Sequence, residues 1–351
     1  ALVYNIAGDP VVMFGAEGIV DIPALMIGQA DGNLILAELD ADNKVSVVLE
    51  KSFLLTSADA GNIMARFSAR GPGPIADILK PDVTAPGVNI IAGFTPDPAN
   101  AKPGENFAYL SGTSMSTPHV AGIAALLRQE HPEWSAAAIR SALITSARQD
   151  LQLQDSLAAA NPFDFGGGHV VPNDALHPGL VYDVSDDEYD AFACGTASPA
   201  VGLARCTELG VAGYSNLATY LNQPSVSISR LANQQTVTRR VTNVGDESGS
   251  YAIEISPPPG IDVNVTPPSI TLGPGASASF DVTLTYASGP MDLWRFGALT
   301  WVSEDHDVRS TIAVKPTSIS APKEIISFGG TGSKTFPVEF GYNGSYRPGV
   351  H

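Results

Sequence analysis

Short apolar runs bounded by turn residues alternate along the first fifty positions of the chain. The runs at 2–6, 11–14, 22–27 and 45–49 have the length of strands, and turn signals containing glycine and proline lie at 8–10 and 15–18. Asp31 precedes Leu34, Ile35 and Glu38 in a pattern that predicts a helix, which Asp31 caps and which ends near Leu39. The pattern indicates a small α+β module that is incomplete at its start.

Two helices are predicted between residues 53 and 183, where small residues and glycines are frequent. The first begins at Ser114, and its apolar stripe at i, i+3, i+4 and i+7 consists of Val120, Ile123, Ala124 and Leu127. Small residues elsewhere on this helix predict that it is buried on all sides; they are Ala121, Gly122 and Ala125. The second helix is capped by Ser135, and its inner stripe consists of Ile139, Ala142 and Leu143. A buried helix pair in an α/β layer follows.

Beyond Pro224 apolar and polar positions alternate with a period of two, which predicts strands. The inward-facing positions are Val226, Ile228, Val237, Val241, Ile253, Ile255, Val263, Val265, Ile270, Leu272, Phe280, Val282, Leu284, Leu299, Trp301, Ile312 and Val314. Their spacing is typical of one β-sandwich over residues 223–316, with Trp294 and Trp301 in its core. Residues 317–351 begin a further β segment, with strand-like runs at 325–328 and 335–340, which either adds to this sandwich or is a truncated domain.

The charge of the chain excludes two classes of partner. There are 36 acidic residues against 19 Lys and Arg, a formal net charge of -17. Nucleic acid and anionic membrane surfaces would repel such a protein, so neither is expected as a partner. No apolar stretch approaches the roughly 20 residues that a membrane-spanning helix needs.

The two cysteines, Cys194 and Cys206, lie outside any CxxC pair and away from histidines at metal-ligand spacing. One disulfide that closes a short loop fits an oxidising, extracellular setting, and two buried free thiols are the alternative. No metal or other cofactor is expected. Calcium has no support, because the sequence contains no Asp- and Asn-rich loop of the EF-hand type.

The candidate chemistry lies in residues 109–122, Tyr-Leu-Ser-Gly-Thr-Ser-Met-Ser-Thr-Pro-His-Val-Ala-Gly. Gly112 allows a substrate to approach the backbone, and Ser114 begins a helix whose first amides have no internal acceptor. A hydroxyl there faces the positive end of the helix dipole, and the Ser114 amide can donate to an oxyanion. Pro118 is assigned to the first turn, where its missing N–H costs nothing. For the tetrapeptide Ser-Gly-Thr-Ser alone, an ordinary N-cap cluster is the alternative.

The whole string resembles the serine motif of the subtilisin-like peptidase family, the subtilases. Other segments are similar in order and spacing to the plant-type branch; they are residues 67–72, 79–89, 132–135, 165–173 and 177–183. The resemblance implies an α/β fold in which residues 51–183 are the C-terminal half of a subtilisin-like parallel-sheet catalytic domain. It implies that Ser114 is the nucleophile and that the Thr113 hydroxyl assists the oxyanion hole. Ser111 and Gly112 then match the strand that pairs with substrate, although many members have Asn where Ser111 stands.

The flanking segments resemble other domains of the same branch. Residues 1–50 resemble the end of an α+β protease-associated domain, through Ile-Pro-Ala-Leu-Met-Ile at 22–27. Residues 223–316 resemble its fibronectin type III-like domain, through Val-Thr-Asn-Val-Gly at 241–245, and residues 184–222 with both cysteines are assigned to a linker.

The order of motifs in the family places the catalytic Asp, the catalytic His and the oxyanion Asn upstream of Ala1. The resemblance therefore implies a secreted serine endopeptidase that acts on polypeptide substrates and works with the upstream portion of the same precursor. The chain alone is expected to be inactive. The alternative is a non-catalytic scaffold or interaction protein that retains a remnant of the peptidase fold.

None of His119, His131, His169 and His177 is expected to act as the base. His119 lies about 140° around the helix from Ser114 and cannot take its proton. The resemblance marks His119, His169 and His177 as structural, and His131 is assigned to the surface or to helix capping.

Overall fold

In the computed structural model, the described residues are 2–4, 25–41, 43–46, 61–95, 106–196 and 200–321, together with 333, 335 and 338–341. They fall into two compact units, residues 1–61 and residues 62–351. In the described part of the chain, no helix has both the length and the apolar character needed to cross a bilayer.

The first unit contains one parallel strand pair and one helix. Strand β1 (Leu2–Tyr4) pairs with β2 (Leu25–Ile27), within two of the apolar runs that predicted strands. Helix α1 (Gln29–Asp40) follows β2, and its N-cap is Gly28 rather than the predicted Asp31. Asp31 lies in the first turn, where a carboxylate is favoured by the helix dipole. The apolar run at 11–14 and residues 47–49 of the run at 45–49 lie outside the described residues.

The second unit begins with short strand pairs and the predicted helices. Strand β3 (Ile63–Met64) pairs in parallel with β6 (Gln152–Leu153), and β4 (Ile90–Gly93) pairs antiparallel with β5 (Phe107–Leu110). The helices are α2 (Thr113–Glu130), α3 (Ala136–Thr145), α4 (Pro162–Phe165) and α5 (Pro172–Leu176). A parallel bridge also joins Thr84 to His169. Among the described residues of this region, the predicted parallel sheet is represented by the β3–β6 pair and the Thr84–His169 bridge.

Helices α2 and α3 pack together through the stripes that the sequence predicted. The predicted cap of α3 is confirmed, since the Ser135 hydroxyl accepts a hydrogen bond from the Ala138 amide at 2.9 Å. Both stripes enter one core, which contains Val120, Ile123, Ala124, Leu127, Ile139, Ala142 and Leu143.

The prediction that α2 is buried on all sides is wrong. The small residues Ala121, Gly122 and Ala125 are exposed, and Leu126 beside them is 63% exposed. The reason is that α2 packs against α3 and α5 through its apolar stripe alone. Small side chains permit burial of a helix face, but they do not by themselves supply the element that covers it.

Residues 184–222, assigned to a linker, fold into a helical hairpin. It consists of α6 (Asp186–Gly195), α7 (Leu203–Val211) and a 3₁₀ turn (Ala218–Tyr220). The predicted disulfide joins Cys194 on α6 to Cys206 on α7, with Cα atoms 5.7 Å apart. The Arg205 guanidinium adds ion pairs from α7 to Asp187 and Asp190 of α6.

The predicted β-sandwich is present. Its strands are β7 (Leu180–Val181), β8 (Ser225–Leu231), β9 (Gln234–Asn243), β10 (Gly249–Ser256), β11 (Ile261–Thr266), β12 (Ser269–Leu272), β13 (Ser277–Tyr286), β14 (Arg295–Val302) and β15 (Asp307–Pro316). One sheet has the order β12-β10-β14-β15-β8, and the other has the order β11-β13-β9-β7. The inward-facing positions that the alternation predicted form the core between the two sheets or pack against it.

The edge strand β7 comes from a segment that the sequence assigned to the catalytic block. Leu180 and Val181 pair antiparallel with Asn243 and Thr242 of β9. Leu180 is fully buried in the sandwich core, and so is the neighbouring Tyr182. The sandwich therefore includes residues on both sides of the helical hairpin.

Buried polar contacts join the sandwich to the helices. The Tyr182 hydroxyl lies 2.7 Å from the Ser310 hydroxyl of β15, and the Tyr182 amide donates to the Ser141 hydroxyl of α3 at 2.8 Å. The Ser229 amide of β8 donates to the Asp77 carboxylate at 2.6 Å. Tyr182 thus joins β15 to α3, and the Ser229 contact joins β8 to the loop that contains Asp77.

Trp301 lies in the sandwich core as predicted, but Trp294 does not. Trp301 is fully buried, whereas Trp294 is half-buried and packs edge-on against Phe163 of α4, with ring centroids 5.0 Å apart. Trp294 is therefore an interface residue between the sandwich and the helices.

The last described strands are β16 (Ile319–Ser320) and β17 (Glu339–Phe340), which pair antiparallel. They lie in the segment predicted to begin a further β region. The apolar run at 325–328 lies outside the described residues.

Candidate active site

The candidate nucleophile stands at the N-terminus of α2. The helix begins at Thr113, with Gly112 at the N-cap, so that Ser114 is its second residue. Thr113 and Ser114 are both exposed. In the described part of the chain the Ser114 amide has no main-chain acceptor, as the second amide of a helix requires. An exposed hydroxyl, a free amide and the positive end of the helix dipole therefore coincide here.

Pro118 lies one turn further into α2 than the sequence predicted. Because α2 starts at Thr113, Pro118 is the sixth helical residue and lies inside the helix. Its missing N–H would otherwise donate to the Ser114 carbonyl four residues earlier. The helix therefore lacks one internal hydrogen bond, directly at the candidate nucleophile.

Residues 85–89 hold the segment that precedes and begins α2. The Gly112 amide donates to the Gly87 carbonyl at 2.8 Å, and the Ser116 hydroxyl donates to the Ala85 carbonyl at 2.9 Å. The Ser111 hydroxyl accepts a hydrogen bond from the Asn89 amide at 2.8 Å. Ser111, predicted to lie on the substrate-binding strand, thus also has a structural contact.

The ribbon formed by β4 and β5 leads into this site and exposes large apolar side chains. Ile91 is 58% exposed, Phe107 is 68% exposed and Tyr109 is 60% exposed. β5 ends at Leu110, one residue before Ser111. An extended ribbon with an apolar surface therefore lies immediately before the candidate nucleophile in the chain.

The described histidines have contacts elsewhere. His119 Nδ1 lies 2.8 Å from the Met115 carbonyl of the same helix, and His131 Nε2 lies 2.9 Å from the Leu176 carbonyl. His169 lies in the glycine-rich segment after α4, where burial and the nearby Arg148 lower its pKa. His177 is exposed at the C-terminal end of α5.

An ion-pair group fixes the start of the segment that holds the site. The Asp82 carboxylate binds Arg140 of α3 at 2.5 Å and Lys80 at 2.5 Å. Burial alone would raise the pKa of Asp82, but these two cations outweigh it and the pKa is lowered. Asp82 is thus ionised at neutral pH and joins residues 80–82 to the helix pair.

The two described clefts lie at the junction of the helices and the sandwich. They have volumes of about 690 and 790 Å³, and both are lined by His177, Pro178 and residues of the 303–306 turn. Among the described residues no group of three or more His, Cys, Asp or Glu side chains could hold a metal ion.

The sequence singled out Ser114, Thr113, Gly112 and Ser111, and the structure places them together at one helix start. It missed the contacts of Gly87, Asn89 and Ser116. Gly87 and Asn89 lie in a segment whose resemblance to the family was noted without a role. Their roles depend on contacts between segments more than twenty residues apart, which no local pattern shows.

Comparison with known proteins assigns two regions of the chain. Residues 24–168 match the Subtilase family, and residues 220–314 match a family described as Fibronectin type-III domain. The second match lies within a few residues of the predicted sandwich boundaries. The first match begins inside the segment whose sequence resembles a protease-associated domain.

The curated proteins that the chain matches include subtilisin-like proteases of a plant. The chain is 36% identical over 307 residues to subtilisin-like protease SBT3.11 of Arabidopsis thaliana, a match that covers 84% of this chain and 40% of that protein. It is 42% identical over 254 residues to subtilisin-like protease SBT2.5 of the same plant, a match that covers 64% of this chain and 30% of that protein. It is 43% identical over 260 residues to subtilisin-like protease SBT2.6, also of Arabidopsis thaliana, a match that covers 68% of this chain and 32% of that protein. The chain thus spans well under half the length of these relatives.

Proposed function

Because residues 24–168 of this chain belong to the subtilase family and residues 220–314 form a fibronectin type-III domain, we propose that it carries the nucleophile of a serine endopeptidase. The observation that carries the proposal is the exposed Ser114 at the start of α2, whose amide has no main-chain acceptor among the described residues. The relatives that support it are subtilisin-like proteases.

The proposed reaction is acyl transfer. Ser114 Oγ attacks the carbonyl carbon of a peptide bond, its proton passes to a base, and the carbonyl oxygen takes the negative charge. The Ser114 amide and the positive end of α2 stabilise that oxyanion, and the Thr113 hydroxyl is a further donor beside it. The base passes this proton to the nitrogen of the peptide bond, the C–N bond breaks and the amine leaves. Water, deprotonated by the same base, then hydrolyses the acyl-enzyme and returns the proton to Ser114 Oγ.

The base is proposed to come from the upstream portion of the same precursor. His119 and His131 lie against main-chain carbonyls, which leaves neither free beside Ser114. The exposed face of α2, with Gly122 and Leu126, offers an apolar surface on which such a portion can pack. The 351-residue chain alone is therefore expected to be inactive.

A fluorophosphonate probe tests this proposal on the full-length precursor and on the isolated chain. The precursor is expected to be labelled at Ser114 and to hydrolyse peptides, and Ser114→Ala is expected to lower hydrolysis by about a thousandfold or more. Ser279→Ala is the matched control, because Ser279 is exposed on the sandwich strand β13. The isolated chain is expected to show neither labelling nor hydrolysis.

Two results would contradict the proposal. Peptide hydrolysis that survives Ser114→Ala would exclude this nucleophile. A folded precursor that neither reacts with the probe nor hydrolyses peptides would instead favour the non-catalytic scaffold.

The protein is further proposed to work outside the cytoplasm. A disulfide such as that between Cys194 and Cys206 is typical of oxidising compartments. The sandwich, which packs on the helices through Tyr182 and Ser229, is proposed to support the catalytic part. Residues 1–50 are proposed to belong to an inserted protease-associated domain. Fractionation of the source cells tests the location, since the mature protein should be found in the extracellular or periplasmic fraction.

A further inference from the structure

We propose that Ser116 and Gly87 are positioning residues that hold the Ser114 hydroxyl in place by locking the start of α2 onto residues 85–89. This inference rests on the proposed peptidase function and adds two residues to its machinery. Neither residue is proposed to touch substrate.

Three hydrogen bonds join the two segments within a short distance of the nucleophile. They are the bonds from the Gly112 amide to the Gly87 carbonyl at 2.8 Å, from the Ser116 hydroxyl to the Ala85 carbonyl at 2.9 Å, and from the Asn89 amide to the Ser111 hydroxyl at 2.8 Å. They lie on both sides of Ser114 in the sequence. The nucleophile is therefore fixed from its N-terminal and its C-terminal side.

Residue 87 must be glycine for this contact to form. A Cβ atom on residue 87 would lie 2.3 Å from the Ser116 hydroxyl oxygen and 2.9 Å from the Gly112 carbonyl oxygen. The second of these atoms belongs to the backbone, so a side-chain rotation cannot relieve the overlap. Any substitution of Gly87 must push the start of α2 away from residues 85–89.

The segment that holds α2 is itself anchored in the second unit. The Thr84 amide donates to the Gly168 carbonyl at 2.8 Å, and the Val170 amide donates to the Thr84 carbonyl at 3.0 Å. The Gly167 amide donates to the Asp82 carbonyl at 2.9 Å, and the Asp82 carboxylate binds Arg140. Residues 85–89 therefore directly follow a segment that hydrogen bonds and an ion pair hold to residues 167–170 and to α3.

The neighbouring hydroxyl on the same helix has no such role. The Thr117 hydroxyl donates to the Thr113 carbonyl at 3.0 Å, which is a bond within α2. Thr117 is exposed, whereas Ser116 is half-buried against residue 85. Thr117→Val therefore removes a hydroxyl one residue away without touching the contact to residues 85–89.

Catalysis depends on the position of the attacking oxygen to a fraction of an ångström, and a displacement near 1 Å can cost about a hundredfold in rate. Gly87→Ala is expected to lower kcat by about 10- to 100-fold. Ser116→Ala removes one hydrogen bond and is expected to lower kcat by about 3- to 10-fold. KM should change little in Ser116→Ala, because the lost hydrogen bond lies on the C-terminal side of Ser114. Gly87→Ala is also expected to raise KM, because it displaces Gly112, which the sequence assigns to substrate binding.

The experiment measures kcat, KM and the rate of fluorophosphonate reaction at Ser114 in the full-length precursor. Thr117→Val should match the wild type, and Ser116→Thr, which keeps the hydroxyl, should recover most of the rate. The double variant Gly87→Ala, Ser116→Ala should be no slower than Gly87→Ala alone, since the first change already breaks the contact. Thermal unfolding of each variant separates loss of rate from loss of folded protein.

The outcomes for the two proposals are distinct. A wild-type precursor that does not react at Ser114 contradicts the peptidase proposal. A reactive wild type with Ser116→Ala and Thr117→Val at equal rates overturns the positioning role. If Gly87→Ala fails to fold, the rate of Ser116→Ala, compared with the rates of the controls Ser116→Thr and Thr117→Val, still tests the positioning role.

Discussion

Arg239 of β9 is a buried cation whose hydrogen bonds go to main-chain carbonyl oxygens. Arg239 is 3% exposed, and its guanidinium donates to the carbonyls of Gln223, Thr219 and Ser225. Burial lowers the pKa of Arg239 to about 10, so the side chain remains charged at neutral pH. The planar arginine guanidinium has five N–H donors and can bind several carbonyls at once, whereas the compact lysine ammonium cannot reach the same set.

Arg239→Lys is therefore expected to lower the free energy of unfolding by about 2–4 kcal/mol, because carbonyls in the interior lose their donors. Arg66→Lys is the control, since Arg66 forms an exposed ion pair with Asp155 and should change stability by less than about 1 kcal/mol. Urea unfolding followed by circular dichroism measures both. Equal effects of the two substitutions would show that the buried guanidinium does not matter.

His169 predicts a dependence of stability on pH. Burial and then Arg148 lower its pKa below the ordinary value of 6.5. As the pH falls, His169 of the unfolded chain is protonated before His169 of the folded protein. Protonation therefore favours the unfolded state, and the free energy of unfolding declines as the pH falls below about 6.5. The free energy of unfolding should fall less between pH 7.5 and 5.5 in His169→Gln than in the wild type. His177→Gln, at an exposed site, should leave the wild-type dependence unchanged.

At the scale of elements, the two-residue strand β7 belongs to the sandwich and lies next to the helices. Its two residues complete the sheet β11-β13-β9-β7, and Leu180 is fully buried in the sandwich core. The segment also continues into Tyr182, which contacts both α3 and β15. One short strand thus belongs to the sandwich and directly adjoins the helices.

Leu180→Ala is expected to destabilise the protein by about 2–5 kcal/mol, the range for a large-to-small change in a closed core. Leu203→Ala on α7 is the matched control, because Leu203 is 85% exposed and should change stability by no more than about 0.5 kcal/mol. Chemical denaturation gives both values. A small effect of Leu180→Ala would mean that the sandwich core closes without β7.

At the scale of the whole molecule, the helices and the sandwich of the second unit are joined by a buried interface. Tyr182 of the sandwich core contacts Ser141 of α3, and Asp77 and Phe163 contact the sandwich from the other part. Domains that share a large, well-packed interface unfold together, whereas loosely joined domains unfold independently.

Tryptophan fluorescence tests whether the two parts unfold as one. Trp134 is buried beside α3 and Trp301 is buried in the sandwich, so each reports on one part. Variants that keep only Trp134 or only Trp301 should show unfolding midpoints within about 0.2 M urea of each other, after correction for the effect of each substitution on stability. Two separated transitions would show that the interface does not couple the parts.

The sequence by itself determined the features that repeat locally along the chain. The period-two alternation fixed the sandwich strands and their inward faces, the i, i+3, i+4 spacing fixed the stripes of α2 and α3, and Ser135 fixed a helix cap. The serine motif also identified the candidate nucleophile, because it is a continuous string around Ser114. All of these depend on residues a few positions apart, whose relation the backbone geometry sets.

Only the tertiary structure decided which segments meet. In the folded chain Leu180 lies in the sandwich core, one face of α2 is exposed, Arg239 is buried among main-chain carbonyls, and Gly87 contacts Ser116. The physical reason is that each of these depends on packing between residues far apart in the chain, and local propensity and periodicity carry no information about which partner will cover a given face.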